Sequence, residues 1–555
     1  MPRRNLKQLY ASEFKGYNLH KLQQDAMAGL TVAAVALPLA LAFGVVSGAT
    51  ASAGLVTAVL AGLIMGALSG APFQISGPTG AMSAVLIVLA QKYGLDGIWV
   101  AGLMSGIFLL IIGLLRLGRF IAFIPSPVIT GFTSGISLII FIGQLDNFFG
   151  TQTAATESSL IKLFNYFKGG FSIDWRSIVL ALLVIGVMII WPKKWNARFP
   201  SSLLGIILAT ALNAIMKWPV GIIGEIPQTL LLTNHLSLNN IPWNNLDSLL
   251  GPALTITALG AIESLLCGTV ASNMTGTRLQ ANQELIGQGI GNIIIPFFGG
   301  VPATAAIARS SVGIKSGGQT RLVSIFHAVG LLLSMFLLAS VMEKIPLAAL
   351  AGVLMVTAFR MNEWETIRFM FNKKFKSAMI AFSITLLATV ALDLTQAILI
   401  GSVIAVMLFI NQIAQIDINI QAVDADKLKE KGIVLNGNCP HVKVAYITGP
   451  LFFAAIGFFN EAFAKLSGTN TLILSMRGVP LIDTAGVEAI EKLYARLSSQ
   501  GGRLMFAGTH DNSYRMLERA GLAEKIGREN FFWSSDQAIV ESERLQCSRC
   551  ETEAA

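Results

Sequence analysis

Long apolar runs dominate most of the chain and alternate with short polar stretches. A run of about 17–25 apolar residues is long enough to cross a bilayer as a helix. Such runs begin near residues 27, 53, 76, 98, 121, 177, 201, 251, 284, 303, 321, 345, 378 and 394. The runs from 76 and 303 are short and are interrupted by Gly and Pro. The pattern therefore predicts fourteen membrane spans, two of them broken.

The polar stretches between the runs indicate how the chain is oriented. If the N-terminal segment 1–25 is cytosolic, this segment and the even-numbered loops hold eighteen Lys and Arg residues, whereas the odd-numbered loops hold six. Positive charge is concentrated on the cytoplasmic side of membrane proteins. We therefore expect a multi-pass transmembrane domain over residues 26–412, with both termini in the cytoplasm.

The pattern of apolar positions changes after residue 412. A polar linker is predicted over 413–436. Within 437–545, three apolar runs of strand length, VKVAYIT, TLILSM and RLMFAG, alternate with amphipathic stretches spaced like helices. This βαβα order predicts a small α/β domain. The tail 546–555 carries Cys547 and Cys550, but one CxxC without a second pair is a weak metal signal and favours a disordered tail.

Composition and charge agree with a membrane protein. The chain of 555 residues is 54% hydrophobic and 13% charged, with a mean hydropathy of +0.65. The net charge of +9 could suggest nucleic acid as a partner, but residues 1–412 hold 25 Lys and Arg against 14 Asp and Glu, whereas residues 413–555 hold 15 against 17. Membrane topology explains this distribution. We expect no nucleic-acid partner, no cofactor, no metal site and no catalytic residues.

The interrupted segments recur at matching places in the two halves of the chain. Pro78 follows Pro38 by 40 positions, and Pro302 follows Glu263 by 39. Two halves of seven spans would be inverted relative to each other, because seven is odd. Paired Gly/Pro-broken segments in corresponding positions are typical of a transporter binding site.

The residues after each proline predict a site for an anion. Pro78 and Pro302 are expected to open two half-helices, because Pro is favoured in the first helical turn. Helix N-termini offer unpaired N–H groups and partial positive charge, and Arg309 would add a full charge. Gly80, Ala81, Ala305 and Ala306 are small enough to let an anion approach. The alternative is two kinked helices with Arg309 reaching to the membrane interface.

Glu263 lies near the middle of an apolar run, where a charged group marks function by default. One hypothesis makes it a proton carrier coupled to anion movement. The other is a structural ion pair between Glu263 and Arg309. The histidines are scattered along the sequence and form no metal-binding pattern.

Several stretches resemble the SulP, or sulfate permease, family of anion transporters. They are AGLTVAAVALPLALAFG, QISGPTGAMS, MTGTRLQANQELIGQGIGN and FFGGVPATAAIARSS, and LSMRGVPLIDTAGVEAI resembles the STAS domain that ends such transporters. Within the family, the motifs are most similar to bacterial DauA-type C4-dicarboxylate transporters. The resemblance implies an α-helical seven-plus-seven inverted repeat, with spans 1–4 and 8–11 as core and the others as gate. It also implies a homodimer and an elevator-like movement of the core.

The resemblance also assigns site residues. The family's anion site matches here at Phe43, Thr79 and Arg309, and the substrate site is predicted to be completed by Gly80, Ala81, Thr304, Ala305 and Ala306. Leu39 and Ala308 replace polar residues of eukaryotic members, so backbone N–H groups would supply more of the binding.

Sodium-coupled members of the family hold the cation with an Asp and nearby hydroxyl groups. In this sequence the matching positions are Glu263, Cys267 and Ile307, so two oxygen ligands are missing. Because sodium prefers oxygen ligands, we predict proton coupling through Glu263.

In the STAS segment, Thr484 occupies the position where bacterial anti-sigma antagonists carry a phosphorylated Ser. It is either a regulatory phosphosite or, as we favour, a helix N-cap. Because such domains resemble binding modules, we expect a cytosolic regulatory partner of this domain.

The sequence thus predicts a secondary active transporter, not an enzyme, that imports C4-dicarboxylates with protons. Sulfate or bicarbonate is the alternative substrate. A membrane anion sensor that signals through the STAS domain is the alternative from another functional class.

Overall fold

The computed structural model describes residues 6–118, 125–151, 153, 159–169, 173–192, 195, 199–237, 239, 246–392, 394–430, 432–433, 441–464, 466 and 468–545. The chain divides into two compact units, Met1–Val403 and Ile404–Ala555. The predicted tail 546–555, with Cys547 and Cys550, lies outside the described residues, as do Asp393 and Cys439.

Fourteen apolar helical segments of the described chain are the membrane spans, numbered in chain order. Their bounds are span 1 Leu19–Val46, span 2 Ala51–Leu68, spans 3 and 4 within Gly80–Leu114, span 5 Ser126–Gly143, span 6 Trp175–Ile190, span 7 Ser201–Met216, span 8 Leu246–Thr275, span 9 Ala281–Ile294, span 10 Ile307–Lys315, span 11 Leu322–Leu337, span 12 Leu347–Met361, span 13 Lys376–Ala391 and span 14 Leu394–Ile413. Shorter helices of this region are Leu6–Glu13, Leu145–Phe149, Ser159–Gly169, Ala339–Met342, Trp364–Asn372 and the 3₁₀ turn Ile295–Phe298.

Length and composition mark five helices of the described residues as able to cross a membrane. They are Leu19–Val46, Ala51–Leu68, Gly80–Leu114, Ser126–Phe149 and Leu246–Thr275. The helix Gly80–Leu114 contains Gly94 in a non-helical conformation, with φ 69° and ψ −168°. Because Gly accepts positive φ without steric cost, the chain breaks there into span 3 (80–93) and span 4 (95–114).

The spans sort into two packed groups. Span 9 packs on spans 2, 3 and 4, span 11 packs on spans 1 and 2, and span 8 packs on spans 3, 4 and 10. In the other group, span 13 packs on span 5, and span 12 packs on spans 5 and 6. The first group corresponds to the predicted core of spans 1–4 and 8–11, and the second belongs to the predicted gate.

Small residues allow close packing inside the core. A Cβ atom on Gly106 of span 4 would lie 2.7 Å from Ile293 N and 2.8 Å from Gly289 O of span 9. A Cβ atom on Gly289 would lie 2.7 Å from Leu110 N. The two backbones therefore approach so closely that only Gly fits at these positions, as in other membrane helix pairs that pack through small residues.

Two short strands join the interrupted segments of the two halves. Strand β1 is Ser76–Gly77 and strand β2 is Thr304–Ala305, and they pair antiparallel. Span 3 begins at Gly80, directly after Pro78 and Thr79, as predicted. Span 10 begins at Ile307, so the prediction that Pro302 opens its half-helix is wrong. Residues 304–305 are extended because they pair with β1 before the helix can start.

The unit from Ile404 onward contains a five-stranded sheet in the order β3-β4-β5-β6-β7. The strands are β3 Asp417–Ala422, β4 Val442–Thr448, β5 Thr471–Gly478, β6 Arg503–Ala507 and β7 Phe531–Phe532. Strands β4 to β7 run parallel, and β3 pairs antiparallel with β4. The three runs read as strands in the sequence correspond to β4, β5 and β6.

Helices cover this sheet and bury its apolar side chains. They are Ala425–Glu430, Ile456–Ala464, Thr484–Ser499, Asp511–Arg519, Leu522–Ile526 and Ser535–Arg544, with 3₁₀ turns Phe453–Ala455 and Arg528–Asn530. Both helices predicted between the strands are present. The predicted linker 413–436 instead contains β3 and the helix Ala425–Glu430. Strand β3 alternates exposed polar residues with Ile418 and Ile420, which pack against the core of the sheet, so its apolar/polar alternation was a strand signal that the linker assignment overlooked.

Candidate functional site

The two interrupted segments meet inside the core through β1 and β2. Ser76 lies opposite Ala305, and Gly77 lies opposite Thr304. The amide of Ala306 extends the pairing by donating to Ile75 O at 2.9 Å. Antiparallel strands run in opposite directions, so the helices that follow them, spans 3 and 10, leave the same short ladder in opposite directions. The ladder thereby joins the starts of the two half-helices.

Thr79 caps the start of span 3. Its Oγ1 accepts a hydrogen bond from Met82 N at 3.3 Å, and Ser83 N donates to Thr79 O at 2.9 Å. The amides of Gly80 and Ala81 have no hydrogen-bond partner among the described residues. These two amides are the donors that a helix N-terminus offers to an anion.

The hydroxyl of Thr79 is already committed to another side chain. It donates to Glu263 Oε2 of span 8 at 2.9 Å. Because this bond uses the single hydrogen of the hydroxyl, while the oxygen accepts from Met82 N, Thr79 has no hydrogen free for a substrate in this conformation. The structure therefore places Thr79 between the helix start and the carboxylate.

At the start of span 10, the backbone amides without a partner belong to different residues from those predicted. Ala306 is its N-cap residue, and the amides of Ile307 and Ala308 lack partners in the described part of the chain. Both residues are exposed, whereas Thr304 and Ala305 are buried. Thr304 Oγ1 contacts Ser264 Oγ at 2.9 Å, and Ala305 N donates to Ser264 Oγ at 3.3 Å. Thr304 and Ala305 thus hold β2 in place, and the amides without partners come after them in the chain.

Arg309 crosses from span 10 to the other half of the chain. Its side chain is buried, with 2% exposure, and Nη2 donates to Pro78 O. Nη1 is buried and has no partner among the described side chains and backbone groups. A Cβ atom on Gly77 would lie 2.3 Å from Nη1, so a side chain at this position would displace the guanidinium from its present place. The alternative in which Arg309 reaches to the membrane interface is therefore wrong.

Glu263 does not form the direct ion pair with Arg309 that the sequence left open. Of the ion pairs among the described residues, none joins these two side chains. They are linked instead through consecutive residues, because Thr79 donates to Glu263 while Pro78 accepts from Arg309. Glu263 itself is half-buried.

An apolar wall lies beside the start of span 3. A Cβ atom on Gly80 would lie 3.3 Å from Phe43 Cε1, 2.8 Å from Ile140 Cδ1 and 3.1 Å from Met361 Sδ. Phe43 belongs to the core, whereas Ile140 and Met361 belong to the gate. The predicted site residues Phe43, Gly80 and Ala81 therefore lie together where core and gate meet.

Cys267 lies near the site, at a position that the sequence comparison linked to cation binding. Within the described residues, no group of three or more His, Cys, Asp or Glu side chains could hold a metal. The thiol of Cys267 donates to Ser310 Oγ at 3.3 Å, and that hydroxyl accepts from Ile75 N at 2.9 Å. Cys267 therefore supports the segment before β1.

Sequence reasoning missed a row of polar residues on span 9. Asn292 binds both backbone groups of Ala303, at 2.8 and 2.9 Å, and Gln288 Nε2 donates to Ser76 Oγ at 2.8 Å. Glu284 accepts from Gln288 at 2.8 Å. The signal was available, because residues 284, 288 and 292 are spaced by four and so share one face of a helix.

In the second unit, Thr484 is not the cap that we favoured. Asp483 is the N-cap residue of the helix Thr484–Ser499, and its side chain accepts from Gly486 N and Phe453 N, both at 2.9 Å. Thr484 is the first helical residue and is exposed. The helix is capped without the Thr484 hydroxyl.

Comparison with known proteins identifies both units. The model of the Sulfate permease family matches residues 22–385, and the model of the STAS domain matches residues 437–538. The chain is 33% identical over 540 residues to YvdB of Bacillus subtilis, which is provisionally named a sulfate transporter, and the match covers 95% of this chain and 99% of that protein. It is 29% identical over 548 residues to the bicarbonate transporter BicA of Picosynechococcus sp., covering 94% and 95%.

A solved structure gives the same fold over nearly the whole chain. The murine solute carrier 26 family member A9 anion transporter, in its inward-facing state, matches with a TM-score of 0.84 at 20% sequence identity, covering 98% of this chain and 96% of that one. At this identity the match concerns the fold alone. It agrees with the predicted seven-plus-seven arrangement of spans and the α/β domain that follows it.

Proposed function

This chain belongs to the sulfate permease family of anion transporters and ends in a STAS domain, and on that premise we propose that it imports C4-dicarboxylates together with protons. The relatives it matches are transporters, which supports the prediction that it is not an enzyme. The finer proposal concerns the substrate, the coupling ion and the residues that carry them.

One observation carries the proposal. The β1–β2 strand pair joins two helix starts whose first amides have no partner among the described residues, and the buried Arg309 lies next to it. The free amides are those of Gly80 and Ala81 on span 3 and of Ile307 and Ala308 on span 10. Each helix start contributes about half a positive charge. Arg309 Nη1 adds a buried donor without a partner. Such donors are costly to leave unpaired, so an anion that accepts from them is stabilised.

The shape of the site favours a dicarboxylate. Its donors belong to two separate helix starts, and the Phe43 ring, Ile140 and Met361 form an apolar wall beside one of them. A C4-dicarboxylate has two charged ends joined by a hydrocarbon segment, which matches two donor groups and an apolar wall. The resemblance of several sequence motifs to DauA-type C4-dicarboxylate transporters favours the same substrate.

Sulfate or bicarbonate is the second candidate substrate. The names of the relatives favour these anions, since YvdB is named for sulfate and BicA for bicarbonate. Helix starts recognise negative charge and impose little further selection. Sulfate, however, accepts hydrogen bonds on all sides, and the apolar wall offers it none.

Proton coupling is proposed to run through Glu263. Its carboxylate accepts from Thr79, which in turn caps the helix start that would bind the anion. A proton on Glu263 would remove a negative charge next to that helix start and so favour the anion. The sodium ligands of related transporters are absent here, because Cys267 and Ile307 stand at two of their positions.

The remaining parts of the proposal follow the family. The core would carry the anion past the gate in an elevator-like movement, in a homodimer of the bacterial inner membrane with cytoplasmic termini. The exposed Thr484 of the STAS domain remains a proposed phosphosite, with a cytosolic regulatory partner.

Uptake into proteoliposomes tests the proposal. The full-length chain is reconstituted, a pH gradient (acid outside) is imposed, and uptake of labelled succinate, fumarate, sulfate and bicarbonate is measured. We expect gradient-driven uptake of succinate and fumarate, each competing with the other. Uptake of sulfate or bicarbonate alone would overturn the dicarboxylate assignment. No uptake of any anion would favour an anion sensor.

A further inference from the structure

A second buried carboxyl group lies in the core, outside the site described above. Glu284, near the start of span 9, is fully buried, with 0% exposure. Its Oε2 lies 2.5 Å from Ser69 Oγ and accepts from Gly70 N at 2.9 Å. Its Oε1 accepts from Gln288 Nε2 at 2.8 Å. Burying an ionised carboxylate costs free energy unless the charge is paired and hydrogen-bonded. The hydrogen-bond donors around Glu284 therefore decide whether it is ionised or protonated.

The hydroxyl of Ser69 has one hydrogen but two oxygen neighbours that could accept it. Ser69 Oγ lies 2.8 Å from Ala71 O and 2.5 Å from Glu284 Oε2, and it also accepts from Ala71 N at 3.1 Å. If Glu284 were ionised, the Ser69 hydroxyl could donate its hydrogen to Ala71 O or to Glu284 Oε2 but not to both. The oxygen left out would then face a lone pair of Ser69 Oγ with no hydrogen between them. If Glu284 carries a proton, Glu284 donates to Ser69 and Ser69 donates to Ala71 O. Only the protonated form gives every close contact a hydrogen.

No cation pairs with Glu284 to favour its ionised form. The nearest guanidinium, that of Arg321, donates from Nη1 to Ala67 O at 2.6 Å and to Ser69 O at 3.2 Å. Its charge is paired with Glu13, since Nη2 lies 2.8 Å from Glu13 Oε2. Span 8 contributes the Cys267 thiol, which donates to Ser310. Among the ion pairs of the described residues, none includes Glu284.

We propose that Glu284 holds a proton in this conformation and is a second proton-exchanging carboxyl group of the transport cycle. The inference rests on the proposed proton coupling and adds a residue to it. In the exchange, the Oε2–H bond breaks, its electron pair stays on the carboxylate, and the proton passes to water that enters beside the partly exposed residues 281–283 at the start of span 9. The Ser69 hydroxyl then turns from Ala71 O to the carboxylate, which keeps its hydrogen bonds from Gly70 N and Gln288 Nε2.

Two hydrogen bonds link this group to the anion site. Gln288 Nε2 donates both to Glu284 Oε1 and to Ser76 Oγ, each at 2.8 Å. Ser76 lies in β1, opposite Ala305 of β2. A change of charge at Glu284 therefore acts on the strand pair from which spans 3 and 10 begin. This places the group where a proton can influence anion binding without contacting the anion.

Infrared difference spectroscopy tests the protonation directly. The full-length chain in lipid vesicles is compared with Glu284→Gln, and with Glu365→Gln as a control that removes an exposed carboxyl group from the helix Trp364–Asn372. We expect the wild-type spectrum at neutral pH to contain the carbonyl band of a protonated carboxylic acid that is lost in Glu284→Gln and kept in the control. An unchanged band in Glu284→Gln would overturn the proposal.

Uptake measurements test the exchange. We expect Glu284→Gln to lose most of the uptake driven by a pH gradient while anion exchange at equal pH continues. Gradient-driven uptake at the wild-type rate would show that the proton never leaves, and the proposed exchange would be wrong. If the wild type shows no gradient-driven uptake, the proposed coupling fails, whereas the infrared result on Glu284 is unaffected.

A second variant keeps the test valid if Glu284→Gln does not fold. Ser69→Ala retains the carboxyl group but removes the oxygen to which it donates. We expect the carbonyl band of the acid to shift in frequency in Ser69→Ala. A band that does not move would mean that the acid is not Glu284.

Discussion

At the scale of single residues, Arg309 is the side chain whose role is most specific. It is buried, it donates to Pro78 O of the other half, and its Nη1 has no partner among the described residues. A hydrogen bond to a charged group contributes about 1.5–3 kcal/mol, which corresponds to roughly a 10- to 150-fold change in affinity. We expect Arg309→Ala to weaken anion binding by a factor in this range, as measured by the substrate concentration at half-maximal uptake.

Lys315 provides the matched control, because it is an exposed cation at the end of the same helix. Lys315→Ala should leave the affinity close to that of the wild type. Equal affinities in Arg309→Ala and Lys315→Ala, with both proteins folded, would remove Arg309 from the site.

Glu263 gives a second residue-level prediction. In Glu263→Gln the amide oxygen can still accept from Thr79, so the cap of span 3 is preserved. The amide cannot take up a proton. We therefore expect Glu263→Gln to exchange labelled for unlabelled anion across the membrane but to lose accumulation driven by a pH gradient. Wild-type accumulation in this variant would show that the coupling proton binds elsewhere.

The sequence indicated which charged residues belong to the site, but it did not indicate the groups that they contact. Arg309 and Glu263 stood out because charge is rare in apolar segments. Their contacts run through the backbone of Pro78 and the hydroxyl of Thr79, and the sequence spacing carries no information on such tertiary contacts. Asp483 was overlooked as a cap for a similar reason, since Asp and Thr are both good N-cap residues and stand side by side.

At the scale of elements, the pairing of β1 with β2 is the feature that organises the site. Directly opposed residues of an antiparallel pair have Cα atoms about 4.5–5.5 Å apart, which is within the range for a disulfide. We expect Ser76→Cys with Ala305→Cys, in a chain whose four native cysteines are replaced, to cross-link on mild oxidation. Cleavage of the loop between the two positions followed by electrophoresis would reveal the bond.

A pair in the wrong register serves as the control for the cross-link. Ser76→Cys with Ala303→Cys displaces one partner by two residues, which moves the Cα atoms apart to roughly 7 Å or more. This pair should cross-link much more slowly. Similar rates for the two pairs, or none for the first, would contradict the register of the strand pair.

Local chemistry decided which element boundaries could be predicted. The start of span 3 was predictable, because Pro78 and Thr79 are residues that begin helices. The start of span 10 was not, because strand pairing with a segment more than two hundred residues away keeps Thr304 and Ala305 extended. Strand β3 could have been predicted from its alternation of apolar and polar residues, but its exposed polar side chains at the edge of the sheet favoured a linker.

At the scale of the whole molecule, the division into core and gate follows from the order of the spans. The first four spans of each half pack together, and the later spans form a second group. Sequence spacing predicted the inversion of the two halves, because the broken segments fall at the third span of each half and seven is odd, whereas the assignment of spans to core and gate came from the resemblance to the family. The apolar contact of Gly80 with Phe43, Ile140 and Met361 could not be predicted, since it joins the two groups.

The bound anion is the most direct test of the whole proposal. The measurement is a cryo-EM structure of the full-length chain in lipid nanodiscs with saturating succinate, compared with the same protein without it. We expect new density between the amides of Gly80 and Ala81 and those of Ile307 and Ala308, in contact with Arg309. Density for the anion elsewhere in the protein, with this position unchanged between the two structures, would contradict the central claim that the paired helix starts bind the substrate.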